Sequence, residues 1–259
     1  MSLLSISNIE HIYFTPERAT KVLEDISISI EEGEFISFLG PSGCGKTTLL
    51  SIIAGLLRPT EGAVLLDGKP SKDCVADIGY MLQQDYLFPW KTIKENVLLG
   101  LNIANKRSQP NIDRTLQLLK DMGLPDVEKL YPSQLSGGMR QRAALVRTLA
   151  TDPQLLLLDE PFSALDYQTK LKLEDLVFTT LKAFKKTALL VTHDIGEAIA
   201  MSDRIFLLKA NPGRLAKTFI VPEELRNMMP FEARQHPDFS SLFQKIWKEL
   251  EQLEQENEY

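Results

Sequence analysis

The chain has 259 residues, 44% hydrophobic and 25% charged, which suits one large soluble globular domain or a domain with a subdomain. A formal net charge of −6 argues against a nucleic-acid binder, and two cysteines, Cys44 and Cys74, make no disulfide framework and fit a reducing compartment. The first ten residues lack the basic-then-apolar pattern of a signal peptide. The longest apolar runs, such as 155–158, fall far short of the roughly 18 residues that span a bilayer, so a membrane channel would have to come from another chain.

In chain order, residues 3–9 and 22–30 cluster β-formers, with Ile26-Ser27-Ile28-Ser29-Ile30 alternating, and 64–66 follow a turn at Glu61-Gly62. These predict an antiparallel N-terminal sheet. Residues 34–39 read as a buried strand running into glycine-rich 40–45, with a helix over 47–57. From about 85 to 150 the pattern is helical, over 92–101, 112–122 and 137–150, with turns at Asn111, Gly123-Leu124-Pro125 and Tyr131-Pro132. Strand 155–158, helix 168–184, strand 188–192, a short helix to 201 and strand 204–208 then alternate, which predicts an α/β fold with a largely parallel, helix-covered sheet. In the tail, Phe239, Leu242, Phe243, Ile246, Trp247, Leu250 and Leu253 recur at helical spacing, with Asp238 as N-cap. That stripe predicts an amphipathic helix folded onto its own domain, with docking to a partner as the other reading.

Gly40-Pro41-Ser42-Gly43-Cys44-Gly45-Lys46-Thr47 fits G-x-x-x-x-G-K-[ST], between a strand and a helix. Glycines let successive backbone N–H groups curl around phosphate oxygens, and the helix that follows presents its positive end to the same anion. Lys46 is expected to reach the β- and γ-phosphates, Thr47 to ligate Mg²⁺ and Thr48 to bond the α-phosphate. Alone, this loop says only nucleoside triphosphate. A thiol reagent on Cys44 is expected to block the loop. Leu155-Leu156-Leu157-Leu158-Asp159-Glu160 carries two carboxylates at the end of a buried strand. Asp159 suits Mg²⁺, which uses few protein carboxylates, and Glu160 is placed to orient or deprotonate an attacking water.

Leu135-Ser136-Gly137-Gly138-Met139-Arg140-Gln141-Arg142 resembles the LSGGxxQR signature of the ABC transporter ATPases, with every defining residue present. A serine hydroxyl and two glycine N–H groups at a helix start form a second anion site. The resemblance implies a P-loop NTPase core with an antiparallel β subdomain (about 1–84 and 151–222), a helical signature subdomain (about 85–150) and a C-terminal helical tail (about 223–259). It implies a head-to-tail dimer, of identical or paralogous ATPases, in which Ser136, Gly137 and Gly138 close on the other chain's ATP. It further implies that Gln83, with Gln84 as the alternative, contacts Mg²⁺, and that Ser163-Ala164-Leu165-Asp166 crosses the dimer interface. His193 would touch the γ-phosphate, and Tyr13, with Phe14 as the alternative, would stack on adenine.

Residues 87–97, Leu87-Phe88-Pro89-Trp90-Lys91-Thr92-Ile93-Lys94-Glu95-Asn96-Val97, are similar to the ATPases of nitrate, sulfonate and taurine importers, as are Pro237, Phe239 and Ile246-Trp247. Relatives there also import thiamine-precursor pyrimidines. The partners implied are a transmembrane permease and an extracytoplasmic solute-binding protein, with this chain peripheral on the cytoplasmic face of the membrane and no nucleic acid involved. The rival reading is a soluble ABC ATPase without transport. Such chains typically carry coiled-coil insertions, zinc sites or tandem cassettes, none of which this sequence shows. Arg140, Arg142 and Arg147 read as salt-bridged or solvated, and Lys182, Lys185 and Lys186 as a solvated face.

Overall fold

The structure is a computed structural model that describes residues 2–163 and 165–257. Two long strands, β1 (Ser2–Phe14) and β2 (Ala19–Glu31), form a hairpin, and β3 (Phe35–Leu39) leads through a glycine loop into helix α1 (Lys46–Ile53). Strands β4 (Glu61–Leu66), β5 (Lys69–Pro70) and β6 (Ile78–Met81) follow, then helices α2 (Ile93–Val97), α3 (Leu99–Ile103), α4 (Gln109–Asp121) and α5 (Gly137–Leu149). The chain continues through β7 (Leu155–Asp159), α6 (Tyr167–Ala183), β8 (Thr187–Thr192), α7 (Ile195–Met201), β9 (Arg204–Lys209) and β10 (Arg214–Ile220). Helices α8 (Glu223–Arg226), α9 (Pro230–Ala233) and α10 (Pro237–Asn257) complete it.

One sheet is antiparallel, in the order β2-β1-β4-β5. The other runs β10-β9-β3-β8-β7-β6, parallel except for the β10–β9 edge. Because successive strand side chains point to opposite faces, the parallel sheet divides its residues between two apolar layers. Leu155, Leu157, Leu189, Val191, Phe206 and Leu208 pack with α1 and the antiparallel sheet. Leu156, Leu158, Leu190, Ile205 and Leu207 pack with the helical segment and the tail. Every residue of β3, β7 and β8 is buried, so the carboxyl ends of these strands form a fixed rim for the loops that follow.

Several details depart from the sequence reading. Strand β6 was not anticipated, because Ile78-Gly79-Tyr80-Met81 is short and carries a glycine; pairing with β7 makes it a strand. The alternating polar strand β10 exists through its antiparallel edge contact with β9. The helix expected over 92–101 is two short helices, α2 and α3, meeting at Leu98. The tail helix begins at Pro237, so Asp238 lies inside its first turn rather than capping it. The helix folds back onto the core, burying Phe239, Leu242 and Ile246, each worth about 2 kcal/mol of apolar burial. Trp247 stays half-exposed, stacked on Phe243 with centroids 6.3 Å apart.

Candidate functional site

The loop between β3 and α1 is shaped by two glycines. Gly45 caps α1 at φ 91°, a left-handed conformation, and a Cβ there would lie 2.6 Å from Leu23 Cδ2. A Cβ at Gly40 would lie 2.6 Å from the Leu208 carbonyl oxygen. The loop therefore curls tightly between the β2 hairpin and the end of β9. Lys46 is buried, and its ammonium donates to the carbonyls of Gly40 at 2.7 Å and Pro41 at 2.9 Å. Its charge thus sits in the mouth of the curl, beside exposed Ser42 and Gly43. Thr47 and Thr48 open the helix, Thr47 exposed and Thr48 partly so. Cys44 is fully buried, and burial pushes its thiol pKa up, which fits a structural role for its sulfur.

The end of β7 faces this loop. Thr47 Oγ1 donates to Asp159 Oδ1 at 3.3 Å, and Tyr80 Oη donates to Asp159 Oδ2 at 3.3 Å. Burial pushes the Asp159 carboxyl pKa up, and the bonds from Tyr80 and Thr47 hold it back. Tyr80 is itself pushed up to about 12, by burial and then by the Asp159 charge, so it stays a donor at neutral pH. The Thr47 hydroxyl, the Asp159 carboxylate and the side-chain amide of Gln83 are hard oxygen donors, the set that fits Mg²⁺.

Glu160 leaves the strand at φ 46°, a left-handed conformation unusual for a residue with a Cβ, while its N–H still bonds Val191 O at 2.9 Å. This turn aims the carboxylate back over the loop. Its Oε2 lies 3.3 Å from His193 Nδ1 and accepts from Gln83 Nε2 at 3.2 Å. Of the two adjacent glutamines, it is Gln83 that reaches the cluster. His193 follows β8, its side chain 62% exposed. The structure thus gathers Lys46, Thr47, Gln83, Asp159, Glu160 and His193 at one rim, drawn from four separate segments of the chain.

Ser136 is the N-cap of α5, its Oγ accepting from Met139 N at 3.3 Å, and Ser136 and Gly137 are exposed. Gly138 is buried against the start of α6, where a Cβ would meet Thr169 Cγ2 at 2.7 Å. Asp166 caps α6, accepting from Thr169 N at 3.1 Å, and hydrogen bonding from the Thr169 side chain, then from its backbone, holds the Asp166 carboxyl below the usual range. Among the described residues, no hydrogen bond joins Ser136–Gly138 to the glycine loop. Ala164, within the expected interface loop, lies outside the described residues. Tyr13, near the end of β1, is 44% exposed and sets its ring edge-on to that of buried His11, with centroids 4.5 Å apart, while Phe14 is more exposed still.

Two connections had no signal in the sequence. Tyr80 on β6 could not be placed beside Asp159 without the strand pairing. Buried Gln141 bonds Pro161 O at 2.8 Å and Gln83 O at 3.2 Å, tying α5 to both acidic and glutamine segments. The arginines of α5 are also engaged: Arg140 pairs with Asp85 at 2.9 Å, Arg142 donates to Met122 O at 3.0 Å, and Arg147 donates to the carbonyls of Asp85 and Tyr86 at 2.7 Å. The lysines expected as a solvated face are partly held: Lys186 pairs with Asp152 at 2.8 Å and Lys182 donates to Arg226 O.

Residues 23–163 match the family described as ABC transporter. The uncharacterised ABC transporter ATP-binding protein YtlC of Bacillus subtilis is 62% identical over 256 residues, spanning 99% of this chain and 98% of the relative. The aliphatic sulfonates import ATP-binding protein SsuB of Bacillus licheniformis is 40% identical over 252 residues, 97% of this chain and 95% of its own. A solved dimer, a post-hydrolysis state of the ATP-binding cassette MJ0796 bound to ADP and Pi, superposes with a TM-score of 0.75 at 34% identity, covering 85% of this chain and 99% of that one. The chain belongs to the ABC transporter family, as an ATP-binding cassette subunit of α/β P-loop fold that hydrolyses MgATP.

Proposed function

We propose that this chain is the motor of an ABC importer, a peripheral subunit on the cytoplasmic face of the membrane that drives a separate permease fed by a solute-binding protein. The loop Gly40–Thr48 holds the phosphates through its N–H groups and Lys46. Thr47, Asp159 and Gln83 are the residues that would hold Mg²⁺, which when bound neutralises charge on the β- and γ-oxygens. Glu160 orients and deprotonates the attacking water, His193 stabilises γ-phosphate charge, and Tyr13 stacks on adenine. Ser136, Gly137 and Gly138, with Asp166 beside them, serve the ATP of a second copy, so two chains sandwich two nucleotides head to tail.

The observation that carries this reading is the convergence on Glu160 Oε2 of His193 Nδ1 at 3.3 Å and Gln83 Nε2 at 3.2 Å. A carboxylate carried on a left-handed backbone turn, with two polar partners and beside a phosphate loop, suits a poised base rather than a solvated strand end. Similarity to the sulfonate import protein supports a small anion or organic solute as cargo. Exposed Tyr86 and Trp90, next to Gln83 and anchored through Asp85 to α5, suit contact with the permease.

Glu160→Gln tests the chemistry. Turnover should fall by roughly 10²–10⁴-fold, the usual contribution of a general base, while MgATP still binds. Normal turnover in that variant would remove Glu160 from the reaction.

A further inference from the structure

The tail of the chain reaches the catalytic rim. His193 projects into solvent with Glu160 as its contact, so its place depends on the backbone of residues 192–196. That backbone is held on one side by polar groups of the core. Asp194 caps α7, accepting from Gly196 N at 2.7 Å and Glu197 N at 3.1 Å, and Lys170 bonds both Asp194 at 2.7 Å and Glu197 at 2.5 Å. Thr192 Oγ1 donates to Glu197 and accepts from Asp194 N at 3.0 Å.

On the other side it is held from α9. Arg234 sends one guanidinium nitrogen to Gly196 O at 2.8 Å and the other to Glu174 Oε2 on α6 at 2.6 Å, and it lies 5.9 Å from the Phe239 ring centroid on α10. Glu174 is fully buried and the Arg234 side chain only 15% exposed. The approach is close: a Cβ on Gly196 would come 3.1 Å from Arg234 Nη1. A buried ion pair is poor at adding stability, because desolvation offsets most of its Coulomb gain. Among the described residues, Glu174 Oε1 and Arg234 Nε have no hydrogen-bond partner, which makes this pair costlier still. What it does supply is position: a planar fork fixes two acceptors on two helices at once.

We propose that Arg234 is a positioning residue for the reaction, clamping the first turn of α7 to α6 so that the tail sets where His193 stands. This rests on the role proposed for His193, and the tests are chosen to separate the two. Removing Arg234 alone leaves Glu174 buried and unpaired, which threatens folding. The informative protein is therefore the double variant Glu174→Gln/Arg234→Met, which removes both charges together.

In full-length protein, this double variant should melt close to the unaltered chain and bind ATP with the same KM. Its kcat should be lower by roughly ten- to a hundredfold, the scale of an ångström-level misplacement. The chain has three histidines. The imidazole NMR signal of His193 should shift in the double variant while that of His11 on β1 stays put. An unaltered kcat, or a His193 signal that does not move, would overturn the clamp. His193→Ala is the control. Should it turn over normally, the reading of His193 fails; should it be impaired while the double variant is not, only the clamp fails.

Discussion

At the scale of single residues, the site is built from side chains whose neighbours dictate their use. Asp159 is buried, yet it is offered two hydroxyl donors, from Thr47 and Tyr80, before any cation is considered. Tyr80 keeps its proton at neutral pH, so it orients the carboxylate oxygen facing away from Thr47. Residues that orient a metal ligand typically change metal affinity by 10–100-fold. Tyr80→Phe should accordingly raise the Mg²⁺ concentration for half-maximal ATPase by roughly tenfold with little change in melting temperature. An unchanged Mg²⁺ titration would leave Tyr80 with packing alone. The glycine loop and the Asp159-Glu160 pair were readable in the sequence because each is a contiguous string whose chemistry is local. Tyr80, Gln141 and Arg234 were not, because each acts through a partner dozens of residues away in the chain, on another element.

At the scale of elements, strands buried on both faces were legible as unbroken apolar runs, whereas the edge strands β6 and β10 were not. An edge strand has one neighbour and needs no distinctive composition, so its pairing decides it. Helix α7 shows how an element acquires its setting. Its cap, Asp194, is pushed up by burial, but the hydrogen bond and charge of Lys170 more than offset this, and the net pKa lies below the ordinary aspartate value. The fold therefore favours the ionised form. The stability this contributes is complete above the unfolded value of about 4 and is lost as pH falls through the lowered folded value. Comparing melting temperatures of the unaltered chain and Asp194→Asn from neutral to acid pH checks this. The advantage of the unaltered chain should shrink on acidification, and a widening gap would contradict the assignment.

At the scale of the whole molecule, the glycine loop and the loop Ser136–Gly138 share no hydrogen bond among the described residues. Lys46 and its loop lie at the end of β3, with Asp159, Glu160 and His193 around them, while Ser136–Gly138 open α5 next to the start of α6. Arg140 and Arg147 on α5 hold the segment with exposed Tyr86 and Trp90, so movement of the signature helix would carry that surface with it. In the function proposed above, closure of the dimer depends on ATP bridging two copies, a ligand-driven shift of population. Sedimentation of Glu160→Gln with MgATP, alone and combined with Ser136→Arg, tests this most directly. The single variant should sediment as a dimer, and the combined variant should bind ATP equally well yet remain a monomer. A combined variant that still dimerises, or one that loses ATP binding as a monomer, would contradict the division of the site between two chains.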